Sequence, residues 1–154
     1  MPNRKWSDLN NHLKLGRYAE YYAKMEFASY GYEIYSPEID DHGVDFIVKR
    51  PNEDSYYEVQ VKSISNSGYV FCKKDKMPLK DSWLLCLLRF VDDELPEVYI
   101  IPATTWLEPK PPFVSRDYEK EGQKSKPEWG INVSKKNLPQ LSNYSAAVFF
   151  NKVR

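Results

Sequence analysis

The sequence predicts an α/β fold. Three observations carry this: a helical apolar stripe near the start, a series of short alternating or wholly apolar runs after it, and a helical pattern at the end. In the first, Leu15, Ala19, Tyr22, Ala23, Phe27 and Tyr30 recur at helical spacing and predict a helix over Asn10 to Tyr30. Gly31 follows the last stripe residue as a C-terminal cap. Tyr32 to Ser36 reads as a short strand stopped by Pro37, and a polar loop with Glu38, Asp40, Asp41, His42 and Gly43 follows. Val44 to Lys49 is a strand rich in branched residues, Pro51 to Asp54 a turn, and Ser55 to Ser63 the hairpin partner.

The second half gives Tyr69 to Cys72 as a strand, Ser82 to Val91 (SWLLCLLRFV) as a buried strand, and Glu97 to Ile101 pairing back after a turn at Asp92 to Pro96. Thr104 or Thr105 is placed as the cap of a short helix through Leu107. Lys110 to Pro127, rich in Pro, Lys, Glu and Ser, reads as an exposed excursion. Trp129 to Val133 reads as a last strand, and Asn137 to Phe150 as a closing helix. The 154 residues suit one domain, with no internal repeat.

Composition narrows the class. At 42% hydrophobic and 29% charged, the chain matches a soluble globular protein. No apolar run approaches the ~18 residues of a membrane span, and the polar N-terminal stretch MPNRKWSDLNNHLKLGR lacks a signal peptide's apolar core. Cys72 and Cys86 lie in apolar runs without CxxC spacing, which predicts buried thiols in a reducing cytoplasm. His12 and His42 are too far apart in sequence to suggest a zinc cluster. The formal net charge of zero argues against strong non-specific binding to nucleic acid, but leaves room for a local basic face. Arg4, Lys5, Lys14 and Arg17 form one basic group, and Lys73, Lys74, Lys76 and Lys80 another.

The stretch SYYEVQVKS, Ser55 to Ser63, carries the functional argument. A strand sends successive side chains to opposite faces, so Val59 and Val61 enter a core while Glu58, Gln60 and Lys62 line up on the other side. In a hairpin, Asp45 at the start of one strand and Gln60 to Lys62 late in the next emerge at the same end. Glu20, at the rim of the helix stripe, is within reach of them. Glu26 falls nearer the middle of the same stripe. Taken singly, Glu20 reads as a helix-surface acid, Asp45 as a turn residue and the Glu58-Gln60-Lys62 row as a solvated strand face. Together they have the parts that phosphodiester hydrolysis needs. Hard cations such as Mg²⁺ or Mn²⁺ take oxygen ligands, here Asp45, Glu20 and the Gln60 amide. A nearby ammonium, Lys62, offsets charge on the phosphorane-like transition state.

These residues resemble the PD-(D/E)xK nuclease superfamily, and most closely its Holliday-junction-resolvase-like and homing-endonuclease-like branch. The match runs through Gly16-x-x-x-Glu20, Gly31, Gly43-Val44-Asp45 and Gln60-Val61-Lys62. It covers Leu13 to Ser63, a core motif region of residues 13–65, in the order that related bacterial domains of unknown function also show. The resemblance implies a restriction-endonuclease-like fold, a mixed central sheet flanked by helices. It also implies a Mg²⁺- or Mn²⁺-dependent DNA endonuclease with Glu20, Asp45, Gln60 and Lys62 as catalytic residues. Lys14, Arg17, Lys73 and Lys74 would hold the DNA backbone. Relatives often act as dimers or tetramers. Two departures stand out: Val44 replaces the proline before the aspartate, and Gln60 replaces the acid of the (D/E)xK pair, a variant accepted in that branch. The rival expectations are a nuclease-fold nucleic-acid-binding or assembly module without turnover, and a purely structural interaction protein.

Overall fold

The computed structural model describes residues 4–9, 11–39 and 43–152, so Asp40, Asp41 and His42 of the polar loop lie outside the described residues. Helix α1 spans His12–Ser29, and Asn11 caps it by accepting a hydrogen bond from the Leu13 N–H at 2.8 Å. It ends as the sequence predicts. Gly31 takes φ +88°, which only glycine adopts without strain. The Tyr32 N–H returns to the Phe27 carbonyl and the Gly31 N–H to that of Ala28, while the Phe27 and Tyr32 rings meet at 5.4 Å. That is a Schellman closure with its accompanying apolar contact.

Strands β1 (Glu33–Tyr35), β2 (Phe46–Lys49), β3 (Tyr56–Ser65), β4 (Gly68–Lys73), β5 (Trp83–Phe90), β6 (Glu97–Pro102), β7 (Phe113–Arg116) and β8 (Glu128–Val133) follow. Five of them form a mixed sheet in the order β1-β2-β3-β5-β6. Neighbours are antiparallel except β3 and β5, which run parallel because the chain leaves the sheet through β4 before returning. Strand β5 is buried along its whole length, which explains its uninterrupted apolar sequence. The other three strands form a second, antiparallel sheet, β4-β8-β7.

Two cores result. Helix α1 and helix α3 (Ala146–Lys152) cover one face of the central sheet through Ala19, Ala23, Phe27 and Phe150 against Phe46, Val48, Val59 and Cys86. The small sheet and helix α2 (Leu138–Leu141) cover the other through Val70, Cys72, Ile131 and Leu141 against Leu85, Leu87 and Ile101. The fold is the expected mixed central sheet flanked by helices, with a second sheet added to one layer. Among the described residues no helix is long and apolar enough to cross a membrane.

Three local expectations change. The 110–127 stretch contributes β7, whose Phe113 is buried against Trp106. Four residues between Pro112 and Asp117 are too short a pattern to show in sequence. The closing helix is two short ones, because Ser142–Tyr144 winds as a tighter turn and Ser145 leaves the helical conformation to bridge Tyr99. Residues Ala103–Leu107 form a 3₁₀ turn with no side-chain cap, so neither Thr104 nor Thr105 plays that part; the turn is anchored by the Trp106 indole N–H donating to the Gly130 carbonyl at 3.1 Å.

Candidate functional site

The site forms where β2 stops short of β3. The last ladder pair is Phe46 with Val59. Beyond it the Asp45 N–H donates to the Val59 carbonyl at 2.9 Å, and the Asp45 side chain turns inward so that Oδ2 accepts the Val61 N–H at 2.6 Å. A carboxylate oxygen thus stands where a β2 carbonyl would continue the ladder. Gly43 makes the approach possible. Its φ is +82°, and a Cβ there would press on the Lys76 carbonyl at 3.0 Å and lie 3.6 Å from the Gln60 amide nitrogen.

Strand alternation places Val59 and Val61 in the α1-side core, as expected. The opposite row is less open than a solvated strand face. Gln60 is only 7% exposed, since Cys72 and Met77 join Leu85 and Leu87 in covering that side of the sheet. Its Oε1 has no hydrogen-bond partner among the described residues. A buried acceptor left without a donor costs roughly 1–3 kcal/mol. Lys62, half-buried, makes no ion pair among the described residues. Its ammonium and the Asp45 carboxylate both act on the Cys72 thiol of β4, the one lowering and the other raising its pKa. Burial dominates and pushes that thiol up to about 12. Cys72 is therefore an inert wall of the site. Glu58 is drawn away from it by Lys80, whose Nζ lies 2.7 Å from its carboxylate.

Glu20 sits on the helix layer. Tyr18 packs on Phe90, which neighbours Ser65, and Phe27 packs on Phe46, which neighbours Val59. Helix α1 consequently runs antiparallel to β3, and rises of about 1.5 Å per helical residue and about 3.3 Å per strand residue set Glu20 level with Lys62 to Ile64. It is on the side of α1 toward β2, since its partner Lys24, 3.4 Å away, also lies over the Phe46 ring at 5.8 Å. Glu20 and the Gln60–Lys62 row thus lie on opposite faces of the sheet, separated by the end of β2, where the Asp45 carboxylate sits. The structure brings Asp45, Gln60 and Lys62 together and gives Glu20 to Lys24. Among the described residues no three His, Cys, Asp or Glu side chains converge as a metal cluster.

The basic residues divide. Lys14 and Arg17 are exposed on the outer side of α1, and Lys73 is exposed at the end of β4. Lys74 is engaged: its ammonium donates to Ser115 Oγ at 2.7 Å and to Asp117 Oδ1 at 2.6 Å, and stands 4.1 Å from the centre of the Trp129 ring. Glu26, puzzling in sequence, enters the helix–sheet interface, where burial holds its carboxyl above the usual range and Tyr22 and Cys86 both feel its charge. The covering of Gln60 by Cys72 and Met77 left no signal in the sequence.

No family model and no curated protein matches the chain. Among solved structures it is similar to a bacterial homing endonuclease, I-Ssp6803I, over 90% of this chain and 91% of that one, with a TM-score of 0.53 and 19% identity. At that identity the likeness establishes a shared fold.

Proposed function

We propose that the chain is a metal-dependent DNA endonuclease of the PD-(D/E)xK type, with glutamine in the acid position. The observation that carries this is the grouping at the β2–β3 edge. The Asp45 carboxylate is fixed by the Val61 N–H. Among the described residues, Gln60 brings a buried oxygen without a donor and Lys62 an ammonium without an ion pair. A solved neighbour with this fold is a homing endonuclease, which supports DNA as the substrate.

The donor set fits a hard divalent cation, because the atoms offered are oxygens and one of them is an orphaned buried acceptor. Asp45 and Gln60 would hold Mg²⁺ or Mn²⁺, with Glu20 as a further carboxylate once it leaves Lys24. Such a partly exposed pair is worth about 1 kcal/mol or less, so the exchange is cheap. When bound, the cation neutralises phosphate charge and acidifies an attacking water. Lys62 orients that water and offsets negative charge developing on the phosphate. Lys14, Arg17 and Lys73 meet the DNA backbone; Lys74 serves the protein's own structure. Cutting both strands of a duplex suits a dimer or tetramer, and the buried free thiols suit the cytoplasm.

One observation favours a second reading, a nuclease-fold nucleic-acid-binding module. Glu20 and Glu58 both hold lysines, which weakens the hold on metal. Incubation with supercoiled and branched DNA in Mn²⁺ separates the two. The enzyme nicks both, and Asp45→Asn and Lys62→Ala abolish nicking. Binding without cleavage, or cleavage that survives both substitutions, rejects the proposed site.

A further inference from the structure

The outer face of the small sheet does not follow the pattern of a solvated surface. Strand β4 buries Val70 and Cys72 against the core, yet its outward side carries Tyr69, Phe71 and Lys73. Phe71 is 45% exposed on an edge strand, where a polar residue is the ordinary choice. Tyr69 lies nearly parallel to it, with ring centres 6.0 Å apart at 18°. The tyrosine is rigidly held. Its hydroxyl donates to Glu128, a carboxylate only 5% exposed, and the Arg116 guanidinium stands 4.2 Å from its ring centre. Gly130 on the next strand leaves the space the ring fills, since any Cβ there would collide with the phenol oxygen.

A cleft of about 330 Å³ opens beside this pair, lined by Phe71, Lys73, Lys124, Ser125, Lys126 and Glu128. In a chain of zero net charge, cations are concentrated around one exposed aromatic ring. Three of the acids nearby are already engaged: Glu128 is buried under Tyr69, Asp117 holds Lys74, and Asp75 faces Lys126 at 3.9 Å. Strand β4 lies between this face and the proposed active site: Cys72, buried on its inner side, feels the charges of Asp45 and Lys62, while Phe71 and Lys73, its neighbours, are exposed on the outer side.

We infer that this face is a binding platform for a single-stranded polynucleotide, with an unpaired base stacked on Phe71 and the adjoining phosphates held by Lys73, Lys124 and Lys126. Stacking on an exposed aromatic ring requires a base free of its partner, and lysines at the rim match a phosphate backbone. This deepens the nuclease reading and rests on it for DNA as the substrate: the platform holds an unpaired strand on the outer face of the small sheet, across β4 from the proposed cutting site.

The test is fluorescence anisotropy of labelled oligo(dT), oligo(U) and duplex DNA in EDTA, across a salt series. Phe71→Ala is expected to weaken oligo(dT) binding about tenfold and leave duplex binding nearly unchanged. Phe71→Trp should restore it. Lys73→Glu with Lys126→Glu should flatten the salt dependence by roughly 0.7 in log–log slope for each phosphate no longer neutralised. Equal loss on oligo(U) makes the platform general for single strands; loss on oligo(dT) alone makes it specific for DNA. Unchanged affinity in both variants, or an equal loss on duplex, overturns the inference. The outcomes also separate it from the nuclease reading. Oligo(dT) binding with no plasmid cleavage by any protein removes the enzyme and keeps the platform. Normal cleavage with unaltered binding in the face variants does the reverse.

Discussion

Asp45 Oδ2 accepts the backbone N–H of Val61 at 2.6 Å, so a carboxylate closes the β2–β3 ladder where the backbone of β2 has not yet begun. The bond gives one side chain two tasks. It satisfies a sheet donor, and it fixes a negative charge at the sheet edge between the helix layer and the Gln60–Lys62 face. A free surface aspartate would lose rotamer freedom on gripping a metal; this one has already lost it.

The two tasks separate by substitution. Asp45→Asn keeps an oxygen for the Val61 N–H and removes the charge. Its stability should fall by about 1 kcal/mol, the difference between a charge-assisted and a neutral hydrogen bond. Asp45→Ala leaves the Val61 N–H without that acceptor and should cost about 1–3 kcal/mol. Urea denaturation of the three proteins measures both. Equal stability of the Asn and Ala variants would show that the bond does not hold the edge.

Glu26 predicts a pH dependence. Burial raises its carboxyl above the ordinary 4.5, so the native state holds this proton to a higher pH than the unfolded chain does. Between the two pKa values the native state carries more bound proton, and stability through this group falls as pH rises. Glu26→Gln removes the effect at nearly constant shape. The variant should therefore be more stable than the parent at pH 7, with the gain shrinking as pH falls toward 4.5. Denaturation midpoints across that range check it; a gain that grows toward acid would reverse the assignment.

Gly130 is a packing requirement that becomes visible only in three dimensions. Gly130→Ala drives a methyl group into the Tyr69 ring and must displace it from Glu128, leaving that buried carboxylate without its donor. Overpacking of this kind typically costs about 1–3 kcal/mol. The double variant Gly130→Ala, Tyr69→Phe should cost no more than the first change alone, because the bond to Glu128 is already lost there and Phe removes the oxygen that the methyl meets first. Chemical denaturation with both variants decides it.

What could be read from the sequence was local. The α1 stripe, the Gly31 closure, the β2–β3 hairpin and the Val59/Val61 alternation each depend on residues a few positions apart, and each sits where the pattern puts it. Alternation tells which side chains share a face but not what covers that face. The sequence therefore reads Gln60 as part of an open row, whereas Cys72 and Met77, brought in by the excursion of the chain through β4, bury it. Ion-pair choice is equally hidden. The sequence offers Glu20 to the site, and a lysine one helical turn on takes it. Strand β7 escapes notice because it buries a single side chain, Phe113, and the four residues Phe-Val-Ser-Arg are too few to show an alternation.

Gln60 gives the sharpest test of the edge site. It is a buried amide whose oxygen has no donor among the described residues, so the pocket already pays for an acceptor that it does not use. Gln60→Glu adds a charge at nearly the same shape. Without metal, the new carboxylate shares a covered site with Asp45, and the variant should be less stable than the parent by about 1–3 kcal/mol. With Mn²⁺ the same charge becomes a ligand, and the order should reverse. A ligand that binds only the native state stabilises it in proportion to the logarithm of concentration over Kd. The variant's melting temperature should then rise more with Mn²⁺ than the parent's, and Asp45→Asn should show no rise. Isothermal titration should rank affinity as Gln60→Glu, then parent, then Asp45→Asn. If all three bind alike, or none binds at millimolar metal, the edge is not a metal site, and a binding module is the better account of this fold.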